Sequence, residues 1–150
     1  GFKVINDSFG HQVGDELLKS VAERLRSATG PDDLVARLSG DEFVVVSPAR
    51  SVADALAFGQ SLVQAIGEMG YIIGNEAAII GVSAGVARYP DHGRDLGALL
   101  AEADTALYQA KFWGRAKCVI AGTSKIARLA TPSAATFAAA SAQSWDADAA

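Results

Sequence analysis

Two adjacent carboxylates, Asp41 and Glu42, stand between two short β-rich runs, where a tight turn would present both to solvent. Such a pair can hold a hard divalent cation, because Mg2+ accepts one or two carboxylates and keeps waters and substrate phosphates as its other ligands. Ordinary turn chemistry also explains acids at that place. A second cluster, Lys3, Asn6, Asp7, His11 and Asp15, surrounds small, turn-forming residues ahead of a helical stretch. A carboxylate accepts from two adjacent N–H groups and an amide both donates and accepts, so Asp15 and Asn6 carry the groups that read a purine edge. Capping by Asp15 and turn-making by Asn6-Asp7-Ser8 are the alternative. Lys111 and Arg115 form the third cluster, four residues apart at the end of a helix, a spacing that lets both face a polyanion such as a triphosphate. Complementing the helix macrodipole would use the same two charges. A base reader, a carboxylate turn and a phosphate clamp are together the parts of a nucleotide site, provided the fold makes them converge.

The elements that must bring them together follow from hydrophobic periodicity. Asp15–Ala28 places Leu17, Leu18, Val21, Ala22 and Leu25 on one face, the 3.6-residue stripe of a helix, and Gly30-Pro31 ends it. Leu34–Leu38 and Phe43–Ser47 read as a hairpin joined by the four residues Ser39 to Glu42. Val52–Met69 is a second helix, Tyr71–Ile73 and Ala78–Ala87 are strands, Leu96–Phe112 is a third helix and Lys117–Ala121 a last strand. A hairpin requires antiparallel pairing, so the predicted class is α+β with a mixed, mainly antiparallel central sheet flanked by helices.

Composition narrows the function classes. The chain has 150 residues with 13 Lys+Arg against 17 Asp+Glu, a formal charge of −4, which fits about one domain. Scattered cations and net acidity argue against duplex nucleic acid as a partner. The best apolar stretch, Ala77–Ala87, falls short of the roughly 20 residues a membrane span needs, and the N-terminus lacks a signal-peptide layout. One cysteine, Cys118, cannot make an intramolecular bridge, and the expected location is cytoplasmic. Residues 1–121 read as the folded domain, whereas 122–150, rich in Ala and Ser, reads as a linker or disordered tail with a short helix possible over Ala134–Ala142.

The blocks FKVINDSFGHQVGDELLKSVAERL, ARLSGDEFVV, GVSAGVARYP and ADTALYQAKFWGRAKCVI, in this order, resemble successive blocks of the GGDEF domain, the diguanylate cyclase catalytic domain, over residues 1–121. The resemblance implies a nucleotidyl-cyclase-like fold and condensation of two GTP into cyclic di-GMP with Mg2+ (or Mn2+), in a homodimer that turns two GTP sites face to face. It implies that Asn6, His11 and Asp15 hold the guanine and ribose end, and that Lys3 stabilises phosphate charge. Asp41 would bind metal and support deprotonation of the 3′-hydroxyl, with Glu42 assisting the metal. Ser39 and Gly40 would line the phosphates, which Lys111 and Arg115 would clamp. A regulatory sensor domain is expected outside this chain.

Three differences from the family pattern carry further expectations. The family's Asp-x-Asp segment would fall just before Gly1, so the first strand is expected to be truncated, with exposed sheet edges, marginal folding and an inactive chain. Ser39 stands where the signature has its first Gly, adding a Cβ and a hydroxyl where glycine permits unusual φ/ψ and close phosphate approach. Gly30-Pro31-Asp32-Asp33 lacks the arginine of the family's product-inhibition motif, so feedback binding there is not expected. A degenerate module that binds GTP and regulates an attached domain without catalysis is the alternative function, with a purely structural dimerisation domain behind it.

Overall fold

The computed structural model describes residues 2–48, 50–68, 70–73 and 76–123. The expected tail from residue 124 onward, with its possible helix, lies outside them. Asn6-Asp7-Ser8, expected as a turn, is instead inside a helix, α1 (Phe2–Phe9), which leans Phe2 and Ile5 on the core. Gly10 breaks the helical path at φ +85 and starts α2 (His11–Ala28), four residues before the expected Asp15. A left-handed φ costs glycine little, so the chain reverses there with no side chain to strain.

The hairpin forms as β1 (Leu34–Ser39) and β2 (Glu42–Val46), paired antiparallel. Both strands run closer to the tip than expected, leaving Gly40-Asp41 as the connection rather than four residues. Then follow α3 (Val52–Gly67), β3 (Tyr71–Ile73), β4 (Glu76–Ala78), β5 (Ala84–Val86), α4 (Leu96–Phe112) and β6 (Cys118–Ile120). Ser51 and Asp95 cap α3 and α4 by accepting from the Asp54 and Ala98 N–H groups at 3.1 and 2.8 Å. Of the single strand expected over Ala78–Ala87, only Ala78, the last residue of β4, and Ala84–Val86, which form β5, are in strands. Among the described residues the strands pair as three two-stranded sheets: β1–β2 and β3–β4 antiparallel, β5–β6 parallel. No helix among them is long and apolar enough to cross a membrane.

Two apolar clusters hold these pieces. In the first, Leu17, Val21 and Leu25 of α2 meet Ile66 of α3 and Tyr71 of β3. Arg24 stacks over the Tyr71 ring at 3.7 Å and donates to the Gly70 carbonyl at 2.7 Å, while the Tyr71 hydroxyl donates to the Ile66 carbonyl at 3.1 Å. One ring thereby ties α2 to the end of α3. In the second, Ala106 and Ala110 of α4 lie on Val119 and Ala121, and alanines at that seam let the helix approach the strands closely. Burial pushes the nearby Cys118 thiol up to about 11, which keeps it protonated and unreactive near neutral pH.

A polar knot fastens the start of the hairpin. The Asp33 carboxylate, 2% exposed, accepts from the Ser47 hydroxyl and from the Gly30 N–H, and Arg50 stands 3.8 Å away. The Ser47 bond first, then the Gly30 N–H and the Arg50 charge, hold Asp33 below the ordinary 3.8 against an opposing desolvation. A carboxyl depressed in the folded state stabilises above its unfolded pKa, and that contribution disappears as pH falls through the folded value. Thermal melts between about pH 5 and about pH 2 are therefore expected to show a steeper loss for the native chain than for Asp33→Asn. Parallel curves would show that the knot contributes nothing to acid sensitivity.

Candidate functional site

α1 and α2 cross so closely that a Cβ on Gly14 would sit 1.9 Å from Asn6 Oδ1. Glycine is required there, and the crossing buries that oxygen with no hydrogen-bond partner. A buried acceptor left unmade costs about 1–3 kcal/mol, so it calls for a donor that the described residues do not supply. Asp15 lies one turn into α2 and is exposed. It is not a cap: the N-cap is Gly10, with no side-chain hydrogen bond, which removes the capping alternative. Asp15 lines a groove of about 390 Å³ with Lys19 and Arg26 of α2 and Arg37 and Phe43 of the hairpin. Lys3 and His11 stand exposed on α1 and at the start of α2.

The hairpin tip is held from both sides. Arg37 Nε donates to the Gly40 carbonyl at 2.8 Å, and Gly40 takes φ +43 in open space, so glycine serves the turn rather than a close contact. Ser39, by contrast, has no left-handed φ, so the unusual φ/ψ that glycine permits is not used there and the backbone accommodates the serine. Its hydroxyl donates to Glu42 Oε2 at 3.0 Å. Asp41 is half-buried and Glu42 exposed. No group of three or more metal-ligating side chains occurs among the described residues. The donor set of two carboxylates nevertheless fits a hard cation that completes its shell with water and phosphate oxygens; Asp41 and Glu42 would hold it.

At the other edge, Lys111 lies in the last turn of α4, but the helix stops at Phe112 and Arg115 follows it rather than continuing its face. Gly114, Arg115 and Ala116 take φ of +102, +57 and +48, and the Arg115 N–H closes the end on the Ala110 carbonyl at 3.0 Å. The expected helical spacing therefore does not relate the two cations. A residue missed from sequence, Asp104, feels charges from both this end and the tip. Exposed as a residue, it has a carboxyl raised first by desolvation and then by the charge of Glu42, with Lys111 opposing. Glu42 of the hairpin and Lys111 of α4 thus act on one carboxylate. Its only sequence signal was the seven-residue spacing to Lys111, two turns along one helix face.

Among the described residues, four helices and short, mainly antiparallel strand pairs, with an acidic hairpin tip, make an α+β domain. A family model described as "Diguanylate cyclase, GGDEF domain" matches residues 1–117, and the chain belongs to the GGDEF domain family. It is similar to the bifunctional diguanylate cyclase/cyclic di-GMP phosphodiesterase MucR of Pseudomonas aeruginosa, 44% identical over 115 residues, covering 77% of this chain and 17% of MucR. It is also similar to the response regulator PleD of Caulobacter vibrioides, 40% identical over 116 residues, covering 76% of this chain and 26% of PleD. The chain therefore spans only a small part of these relatives' length. Among solved structures, the GGDEF domain of TpbB (YfiN) from Pseudomonas aeruginosa matches with a TM-score of 0.72 and 37% identity over 82% of this chain and 77% of that one. The active GGEEF domain of a diguanylate cyclase from Vibrio cholerae matches with a TM-score of 0.71 and 32% identity over 83% and 78%.

Proposed function

We propose that this domain, in the protein that carries it, is a diguanylate cyclase that condenses two GTP into cyclic di-GMP as a homodimer. The observation that carries the nucleotide reading is Asn6 Oδ1, a buried acceptor without a donor at the helix crossing that also bears Asp15. A guanine edge offers adjacent N–H donors to such an amide oxygen and carboxylate. Lys3 and His11 then stand along the ribose and phosphate path, and Lys111 and Arg115 offset charge on the β- and γ-phosphates. Asp41 accepts the proton of the attacking 3′-hydroxyl. The 3′-oxygen forms its bond to the α-phosphorus of the facing GTP while the α–β anhydride bond breaks and pyrophosphate leaves; two such steps close the ring. Bound Mg2+ or Mn2+ supplies charge compensation at the attacking and leaving oxygens. Positioning by the side chains supplies much of the rest.

The test begins with Asn6→Ala. Affinity for a non-hydrolysable GTP analogue is expected to fall about tenfold, the value of one lost hydrogen bond near the top of its usual range. Thermal stability is expected to stay level or rise, because the substitution removes an orphaned acceptor. A structural asparagine would do the reverse, losing stability and leaving affinity alone, and that pattern would end the reading. A regulator that binds GTP without catalysis is the second reading, favoured by Ser39 engaging Glu42. Chromatography of the complete protein with GTP and Mg2+ separates the two: cyclic di-GMP supports the enzyme, and analogue binding without product supports the regulator.

A further inference from the structure

The Ser39 hydroxyl contact is a product of strand register rather than of a chance rotamer. Along the hairpin Arg37 pairs with Phe43, and the next pair is Ser39 with Glu42, so Leu38 is the extra residue of a bulge. Bulges re-aim side chains, and this one swings Ser39 out of the turn and directly opposite Glu42. The Arg37 bond to the Gly40 carbonyl fixes the backbone between them. An ionised carboxylate is an acceptor only, so the 3.0 Å contact is the serine donating to Oε2, which leaves Oε1 unengaged by Ser39.

We infer that Ser39 is a positioning residue that makes Glu42 a one-oxygen ligand and so biases the hairpin tip toward Mg2+ over Ca2+. This rests on the reading of Asp41 and Glu42 as the metal carboxylates. Ca2+ takes carboxylates through one or both oxygens in loose, high-coordination shells, whereas Mg2+ requires near-octahedral geometry and keeps several waters. A carboxylate whose second oxygen already accepts from a fixed hydroxyl suits the smaller ion and disfavours chelation of the larger, because the hydroxyl competes for that oxygen. Hydrogen bonds to ligating carboxylates orient them and tune the ion they hold.

The test measures bound Mn2+ by electron paramagnetic resonance on the chain with a non-hydrolysable GTP analogue, with Mg2+ and Ca2+ as separate competitors. Ser39→Ala and Ser39→Gly are expected to shift the Mg2+/Ca2+ preference about tenfold toward Ca2+, the low end of what outer hydrogen bonds contribute to metal affinity. Ser39→Thr, which keeps the hydroxyl, is expected to preserve the native ratio. A role confined to hairpin stability would change both ions alike, and circular dichroism of each variant reports the fold. Mn2+ bound in the native chain and lost in Asp41→Ala, with the same ion ratio across the Ser39 variants, overturns the inference and leaves the metal reading intact. Absence of Mn2+ binding in the native chain, or binding unaffected by Asp41→Ala, overturns both.

Discussion

Gly85→Ala is expected to destabilise the domain by about 3 kcal/mol or more, at or beyond the usual upper end for overpacking. A Cβ at this position would lie 2.0 Å from the Ala103 carbonyl oxygen, 2.5 Å from the Leu107 nitrogen and 3.0 Å from the Ala103 carbonyl carbon. All three are backbone atoms of α4, so no rotamer change makes room. The helix would have to lift from β5, and it is held there through Ala106 and Ala110, both with no exposed surface. Lifting it opens the second apolar cluster and strains the parallel pairing of Gly85 with Val119. Domains of this size are stable by only about 5–15 kcal/mol, so such a loss consumes a large fraction of the total. Gly59→Ala is the internal control. Its Cβ would meet Cys118 Sγ at 2.5 Å and Val86 Cγ2 at 2.9 Å, both side-chain rather than backbone atoms, so relief needs side-chain shifts and no movement of a helix. Urea denaturation of the two variants should show the Gly85 midpoint displaced well below the Gly59 one; equal midpoints would mean that α4 is free to shift on the sheet.

Much of this arrangement was legible in the residues, and the failures have physical causes. α4 was bounded correctly at Leu96–Phe112, because Asp95 is a strong cap and the Ala/Leu stripe that follows is unbroken. β3 was also bounded correctly, a β-branched run beside glycine. α1 was missed because Asn6, Asp7 and Ser8 favour turns through their own side-chain hydrogen bonds. That local preference lost to the docking of Phe2 and Ile5 against the first core cluster. Placing α1 in turn removed Asp15 from a capping position, since α2 could begin at His11. The acidic tip was readable from adjacent acids between two β-rich runs. The bulge that turns Ser39 toward Glu42 was not, because it falls at the last residue of β1, where no further alternating side chains follow to reveal the shifted register. Asp104 was hidden for another reason: an acid on an alanine-rich helix reads as a solvated face, and nothing in the sequence marks the Glu42 charge that acts on it.

Asp41→Ala is expected to lower cyclic di-GMP formation on the order of a thousandfold in the complete protein, if Asp41 is both a metal ligand and the acceptor of the 3′-hydroxyl proton. Charge compensation at the reacting oxygens contributes several kcal/mol, and each 1.36 kcal/mol is about a factor of ten in rate. The loss belongs in kcat rather than in binding. The groups assigned to the guanine, Asn6 and Asp15, lie at the crossing of α1 and α2, while Lys111 and Arg115 stand at and beyond the end of α4. None of them belongs to the hairpin. The tip itself should survive the change, since Arg37 still grips the Gly40 carbonyl and Ser39 still meets Glu42. Affinity for a non-hydrolysable GTP analogue measured without metal is therefore expected to change by no more than about twofold, within the spread of a neutral surface substitution. Lys111→Ala is expected to give the opposite signature, a raised KM with a smaller loss of kcat, because the proposed clamp on the phosphates would act on the bound ground state as well as on the transition state. Product formation by Asp41→Ala at the native rate would remove the hairpin tip from the chemistry, and a matched fall in analogue affinity would show that Asp41 serves binding instead.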